Sequence, residues 1–130
     1  MDMSEGKSIG SKTVVVGAST NPSRYAYLAA EMLTQGGYDM IPIGVKRGVV
    51  FGKTIQDIHT RPVIDHVHTI TLYIGPAHQP PWYDYLLGLH PKRIIFNPGT
   101  ENEDFMRKAA AAGAEVVVAC TLVMLRTGQY

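Results

Sequence analysis

Apolar positions along the chain follow two rhythms. Short continuous runs of β-branched residues alternate with longer stretches in which apolar residues recur every three or four positions. Thr13–Val16 (TVVV) opens the series as an unbroken apolar run, the pattern of a central strand covered on both faces. The next stretch predicts a helix entered at Pro22, with Asn21 as N-cap. Proline at the first helical position gives up an N–H that has no partner there anyway. Tyr25, Leu28, Ala29, Met32 and Leu33 fall on one face of it, and Gly36-Gly37 ends it.

A second strand is predicted over Tyr38–Ile43, with Pro42 marking its end. GVKRGVVFGKTIQDI reads as a loop with a short strand and a turn of helix. A third strand covers His66–Ile74, GPAHQPP breaks the chain, and a helix follows over Trp82–Leu89. Arg93–Phe96 is a fourth strand. Thr100 and Glu103 have capping-box spacing ahead of an alanine-rich helix that stops at Gly113. Glu115–Ala119 is a fifth strand, and the CTLVMLRTGQY tail carries a short closing helix. Strands alternating with helices call for right-handed crossovers. The expected fold is therefore α/β, doubly wound, with a mainly parallel five-stranded sheet and helices on both faces. No repeat or linker divides it, so residues 12–130 read as one domain and 1–11, rich in Gly, Ser and charge, as a lead-in.

Composition narrows the picture. With 130 residues, 45% of them hydrophobic and 18% charged, the chain is long enough to bury a core. A net charge of +1 speaks against a general nucleic-acid or membrane-surface binder, so any anion site must come from local placement. No apolar run approaches the roughly 20 residues of a membrane span, and the first residues lack a signal-peptide core. The expected location is the cytoplasm. Cys120 is the one cysteine and has no intramolecular disulfide partner.

In doubly wound sheets, ligands bind beyond the carboxyl ends of the strands, where strand order reverses. The residues after each predicted strand are thus the candidates: Gly17-Ala18-Ser19-Thr20-Asn21, Gly44-Val45-Lys46-Arg47, Gly75-Pro76, Asn97-Pro98-Gly99-Thr100 and Cys120. The first loop offers main-chain N–H groups and a helix start to a phosphate, with the Ser19 hydroxyl and the Arg24 fork beside them. The plainer reading is an ordinary strand-to-helix turn, since a single glycine stands where a dinucleotide fingerprint has three. The second loop bears on which nucleotide. An NAD site places an acid near the end of strand two, whereas no Asp or Glu lies between Met40 and Thr54. Lys46 and Arg47 stand there instead. They suit a phosphorylated ribose, as in CoA or NADP, or else are two solvated loop charges.

VVGASTNPSRYAYLAAEML followed by GYDMIPI resembles the small stand-alone CoA-binding proteins, and the likeness runs from about Lys12 onward. Their Rossmann-like domain is similar to that of the succinyl-CoA synthetase α subunit. The resemblance implies that Gly17, Ala18, Ser19, Asn21 and Arg24 surround the phosphate or adenosine end of CoA, and that Lys46 faces its phosphates. It further implies that Pro42, Gly75 and Pro76 line the nucleotide and that Asn97, Pro98 and Gly99 bound the far side. Gly44 and Cys120 complete the candidate set. The chain departs from the family pattern at Gly44-Val45, where many members carry Asn-Pro. The synthetases' phosphohistidine domain has no counterpart, so the resemblance implies binding rather than ligase chemistry.

Other chemistry is less well supplied. Cys120 reads either as a small core residue or as a thiolate, at a helix start, that meets the CoA thiol in a mixed disulfide. His66 and His68 share a strand face as half a metal site or as plain strand-start histidines, and no metal is expected. His78 is the acid–base candidate, with no nucleophile placed beside it. Tyr73, Trp82, Tyr83 and Tyr85 suggest adenine stacking, core packing or a subunit contact. The expectation is a non-catalytic module binding CoA or acyl-CoA as sensor, carrier or adaptor. The alternative is a small NADP-binding reductase, or a CoA-dependent enzyme subunit working with a partner. A homodimer or another protein partner is also envisaged, through the apolar tail.

Overall fold

The structure, a computed structural model, describes residues 11–130. The lead-in expected over 1–11 lies, apart from Ser11, outside the described residues. The elements in chain order are β1 (Lys12–Val16), α1 (Tyr25–Gln35), β2 (Asp39–Gly44), β3 (Val49–Val50), β4 (Lys53–Thr54), β5 (Gln56–Asp57) and β6 (Val67–Leu72). They continue with α2 (Tyr83–Leu87), β7 (Arg93–Phe96), α3 (Glu103–Ala111), β8 (Glu115–Val118) and α4 (Thr121–Arg126).

Six strands form the main sheet in the order β5-β2-β1-β6-β7-β8, and every pairing is parallel. The sheet thus has one strand more than expected. The extra one, β5, is two residues beside Ile43 and Gly44, too short to leave a periodic signal. Val14, Val15 and Val16 have no exposed surface, as the unbroken run predicts. Full burial of each contributes about 1.5–3 kcal/mol. Alternation sends Val14 and Val16 into a core with Leu86, Phe105 and Ala109 of α2 and α3, and Val15 into a second core with Ala26, Ala30 and Leu33 of α1. Leu125, of α4, packs against this second core, so helices cover both faces.

Several element ends shift by one or two residues from the sequence reading, and three departures have a local reason. Pro42 sits inside β2 rather than at its end. The Ile43 carbonyl turns toward β1, where it accepts from Gly17 and Ala18. Alternation therefore turns Pro42's nitrogen to the other edge, which β5 covers only from Ile43 on, so no ladder bond is lost.

The helix α1 starts at Tyr25, not Pro22. Asn21 Oδ1 accepts from the Ser23 N–H at 3.0 Å and hydroxyl at 2.8 Å, and Arg24 N–H bonds back to the Asn21 carbonyl, making a closed turn. Its buried positions are Ala26, Ala29, Ala30 and Leu33, whereas Tyr25 is 70% exposed. The alanines let the helix lie close on the sheet and leave Tyr25 and Leu28 at its margin.

The helix α3 is capped by Asn102, whose Oδ1 accepts from Phe105 N–H at 3.3 Å. Thr100, the expected cap, instead donates its hydroxyl to the Asn97 carbonyl at 2.8 Å. Among the described residues no helix is long and apolar enough to cross a membrane.

Candidate functional site

Strand order reverses between β1 and β6, and the loops after them meet there. Gly17 follows β1 with φ +97°, and a Cβ on it would stand 3.0 Å from the Tyr73 carbonyl oxygen. Both the backbone angle and the close approach require glycine. Tyr73 N–H reaches back to the Val16 carbonyl at 2.8 Å, which fixes the two loop starts side by side.

A cleft of about 470 Å³ opens at this point, over the carboxyl ends of β1, β2, β6 and β7. Of the candidates read from the sequence, Gly17, Ala18, Ser19, Asn21, Arg24, Lys46, Gly75, Pro98 and Gly99 line it. A second hollow of about 340 Å³ adjoins it, lined by Asn97, Pro98 and Cys120 together with Leu28, Leu122 and Val123. Tyr25, Tyr73 and Pro98 line both, so the two hollows share a wall. Three candidates lie outside them. Pro42 is buried within β2, and Pro76 starts an exposed 3₁₀ turn over Pro76–His78. Gly44 lies beneath the first loop, where a Cβ would come within 3.1 Å of the Ala18 carbonyl oxygen. Its missing side chain lets that loop settle on β2.

Charge in the cleft has one sign. Arg24 and Lys46 line the larger hollow, Arg126 lines the smaller, and among the described residues no carboxylate lines either. Arg47, next to Lys46, is not in the lining. It acts instead on Asp57, whose carboxyl is held below its usual range first by hydrogen bonds from His59 and lastly by Arg47. The second loop therefore divides its cations, one to the cleft and one to the edge of the sheet.

The first loop gives fewer main-chain donors than the sequence suggests. Gly17 and Ala18 N–H groups both bond the Ile43 carbonyl, at 2.9 and 3.0 Å. The Asn21 N–H is taken by Ser19 Oγ at 3.0 Å. Among the described residues no protein acceptor answers the N–H of Ser19 or Thr20, and both residues line the cleft.

The far wall is held by buried amides. Asn97, 2% exposed, donates to the Thr71 hydroxyl and the Leu72 carbonyl and accepts from Thr121 N–H. Gln79, fully buried, donates to the Ile74 and Thr100 carbonyls at 2.8 Å each. It also accepts from Asn102 Nδ2 at 2.9 Å. These bonds tie the loop after β6 to the loop after β7. Gln79 escaped the sequence reading because a glutamine in a Pro-rich loop looks solvated.

The aromatic residues grouped in the sequence part company. Tyr83 stacks on Phe105 in the core, Trp82 packs against His59 and Arg61, and Tyr85 donates to the Pro62 carbonyl. Tyr73 alone of the four lines the cleft, and burial pushes its phenol up to about 12. His66 precedes β6 with φ +58°, so it does not share a strand face with His68. Among the described residues no three His, Cys, Asp or Glu stand together as metal ligands. A larger hollow of about 900 Å³ lies at the opposite end of the sheet, beside Lys12, Asp39, Val67 and Lys92 at the strand starts. That end carries no loop of the strand-order reversal, so the cleft between β1 and β6 is the candidate site.

Comparison with known proteins shows the family and the fold. Residues 11–126 match the family model described as a CoA binding domain. A crystal structure of an uncharacterized protein is 52% identical, with a TM-score of 0.89 over 92% of this chain and 98% of that one. A hypothetical protein from Pyrococcus horikoshii OT3 is 25% identical, with a TM-score of 0.79 over 95% of this chain and 87% of that one. A Rex-family repressor, 14% identical with a TM-score of 0.60 over 94% of this chain and 58% of that one, shares the fold. No match is found among the curated proteins.

Proposed function

The chain belongs to the CoA-binding domain family, and on that premise we propose that it is a non-catalytic module whose cleft holds CoA or an acyl-CoA. Residues 12–130 act as one binding domain, working as a sensor, carrier or adaptor. The observation that carries the reading is the cleft at the strand-order reversal, lined by Arg24 and Lys46 and, among the described residues, by no carboxylate. A ligand with several phosphates suits a site of one charge sign, because each carboxylate near the phosphates would cost affinity.

In this reading the diphosphate lies against the first loop, near the N–H groups of Ser19 and Thr20 and the Arg24 guanidinium. Lys46 takes the phosphate on the ribose. The end of β2 supports a phosphorylated ribose over a plain one, since Gly44, Val45 and Lys46 stand where an acid would bind the two ribose hydroxyls. Binding is the activity to test.

Thermal unfolding with CoA, acetyl-CoA, NADP and NAD, each in excess, separates the readings. A ligand at 100 times its dissociation constant stabilises the fold by about 2.7 kcal/mol, which shows as a raised melting temperature. The expected result is a shift with CoA or acetyl-CoA. A shift with NADP alone would replace the CoA reading, and none with any ligand would leave a fold without this function.

A further inference from the structure

The strand β8 ends the main sheet on one side, and among the described residues no strand pairs with its outer edge. The N–H groups of Glu115 and Ala119 donate to the Lys92 and Phe96 carbonyls, at 2.9 and 3.3 Å. Alternation therefore turns the main-chain N–H and C=O groups of Val116 and Val118 away from β7, toward the open side. The strand packs chiefly against β7 and α3, whereas α4 packs chiefly against α1.

Open edges are commonly blunted by lysine, proline or a bulge. This one has none of them: three successive valines follow Glu115, in unbroken register with β7. Val118 is 58% exposed, and Val116 and Val117 are only partly buried. The opposite edge of the sheet is different. There β5 is two residues long and polar, Gln56 and Asp57.

The outer edge of β8 is complementary to itself. Laid antiparallel about a two-fold axis at Val117, Val116 meets Val118 of a second copy, and each such pair exchanges both main-chain hydrogen bonds. Glu115 falls beside Ala119 of the second copy, so the two carboxylates stand at opposite ends of the contact. A net charge of +1 leaves little repulsion between copies. A two-fold contact closes on itself, and the short β5 edge gives no seat from which a longer array could grow.

We infer that β8 is a self-association edge, through which two copies of this chain join into one continuous sheet across Val116–Val118. The seat is the strand rather than the apolar tail. No residue of β8 lines either hollow of the candidate site, so the inference is independent of the CoA reading. One short strand covers less surface than a standard interface, which makes the association depend on concentration.

Analytical ultracentrifugation from roughly 10 μM to 1 mM tests this. The unaltered protein should pass from monomer to dimer and form nothing larger. Val118→Pro should stay monomeric over the same range. Proline at an edge whose N–H faces outward keeps every bond within the chain and removes a donor from the contact. Val118→Lys leaves the backbone intact, sets a charge on the exposed edge and should be monomeric too. Both should keep the circular dichroism spectrum of the unaltered protein. Val117→Cys, in a Cys120→Ser background, locates the axis. The Cα atoms of a facing pair without hydrogen bonds stand about 4.5 Å apart, within disulfide reach, so oxidation should link the dimer. A monomer throughout, a dimer that either Val118 variant retains, growth beyond the dimer, or a dimer that the cysteine does not link would each overturn the inference.

Discussion

Asn97 Oδ1 accepts the main-chain N–H of Thr121 at 2.9 Å, so the loop after β7 is bonded to the first residue of the helix that follows β8. The same side chain donates to the Thr71 hydroxyl and to the Leu72 carbonyl, at 2.8 and 2.9 Å. One buried amide therefore joins the end of β6, the loop after β7 and the start of the helix after β8. Asn97→Ala leaves a buried donor and acceptors unpaired, which costs about 1–3 kcal/mol for each orphaned group. The expected loss of stability is about 3 kcal/mol, read as a lower urea midpoint with unchanged slope. A loss below about 1 kcal/mol would mean that water or a side-chain shift replaces these bonds.

Lys46 gives a second prediction, on ligand choice rather than stability. It lines the cleft and Arg47 does not. Lys46→Glu should weaken CoA by about ten- to a hundredfold, the scale of a charge-assisted hydrogen bond lost. Dephospho-CoA, which lacks the ribose phosphate, should lose much less. Equal losses would place Lys46 on the diphosphate instead. Arg47→Glu serves as the control and should change neither.

A third prediction concerns pH. Burial first, then the positive charges of Arg93 and Lys92, holds His68 below its ordinary value of 6.5, while Glu115 opposes them. The folded protein thus binds the proton less well than the unfolded chain. The stability this contributes is fully present above about pH 6.5 and is lost as pH falls through the lower folded value. Urea midpoints measured at pH 7.5 and 5 should fall on acidification, and His68→Gln should flatten that fall. An unchanged slope in the variant would assign the acid sensitivity to other groups.

Much of the fold was legible because its signals are local. Arg93–Phe96 was read to the residue, since an apolar run between Pro91 and Asn97 has few alternatives. The Asn21-Pro22 start of α1 misled because an N-cap and a closed Asx turn both use the asparagine oxygen on an N–H two residues on. Pro42 misled because whether a strand tolerates proline depends on which edge its nitrogen faces, and only the neighbours of β2 decide that.

The candidate site divides the same way. Loop residues after the strands were found by topology, and nine of the fourteen candidates line the larger cleft. Tyr73 was seen only as one of four aromatics. It is the one of the four that lines the cleft, and which aromatic does so is a property of packed neighbours, not of sequence spacing. Gln79 escapes that reading for the converse reason, that one of its main-chain partners, the Thr100 carbonyl, lies 21 residues on.

The carbonyl of Ile43 engages the main-chain N–H groups of both Gly17 and Ala18. Those two amides brace the loop, and in the proposed reading the grip on an anion passes to exposed side chains, Arg24 and Lys46. Dissolved salt competes with such side chains far more effectively than with a rigid ring of amides. The hold on a phosphate-rich guest should therefore loosen steeply as ionic strength rises, making the protein's occupancy a function of its medium as well as of its ligand.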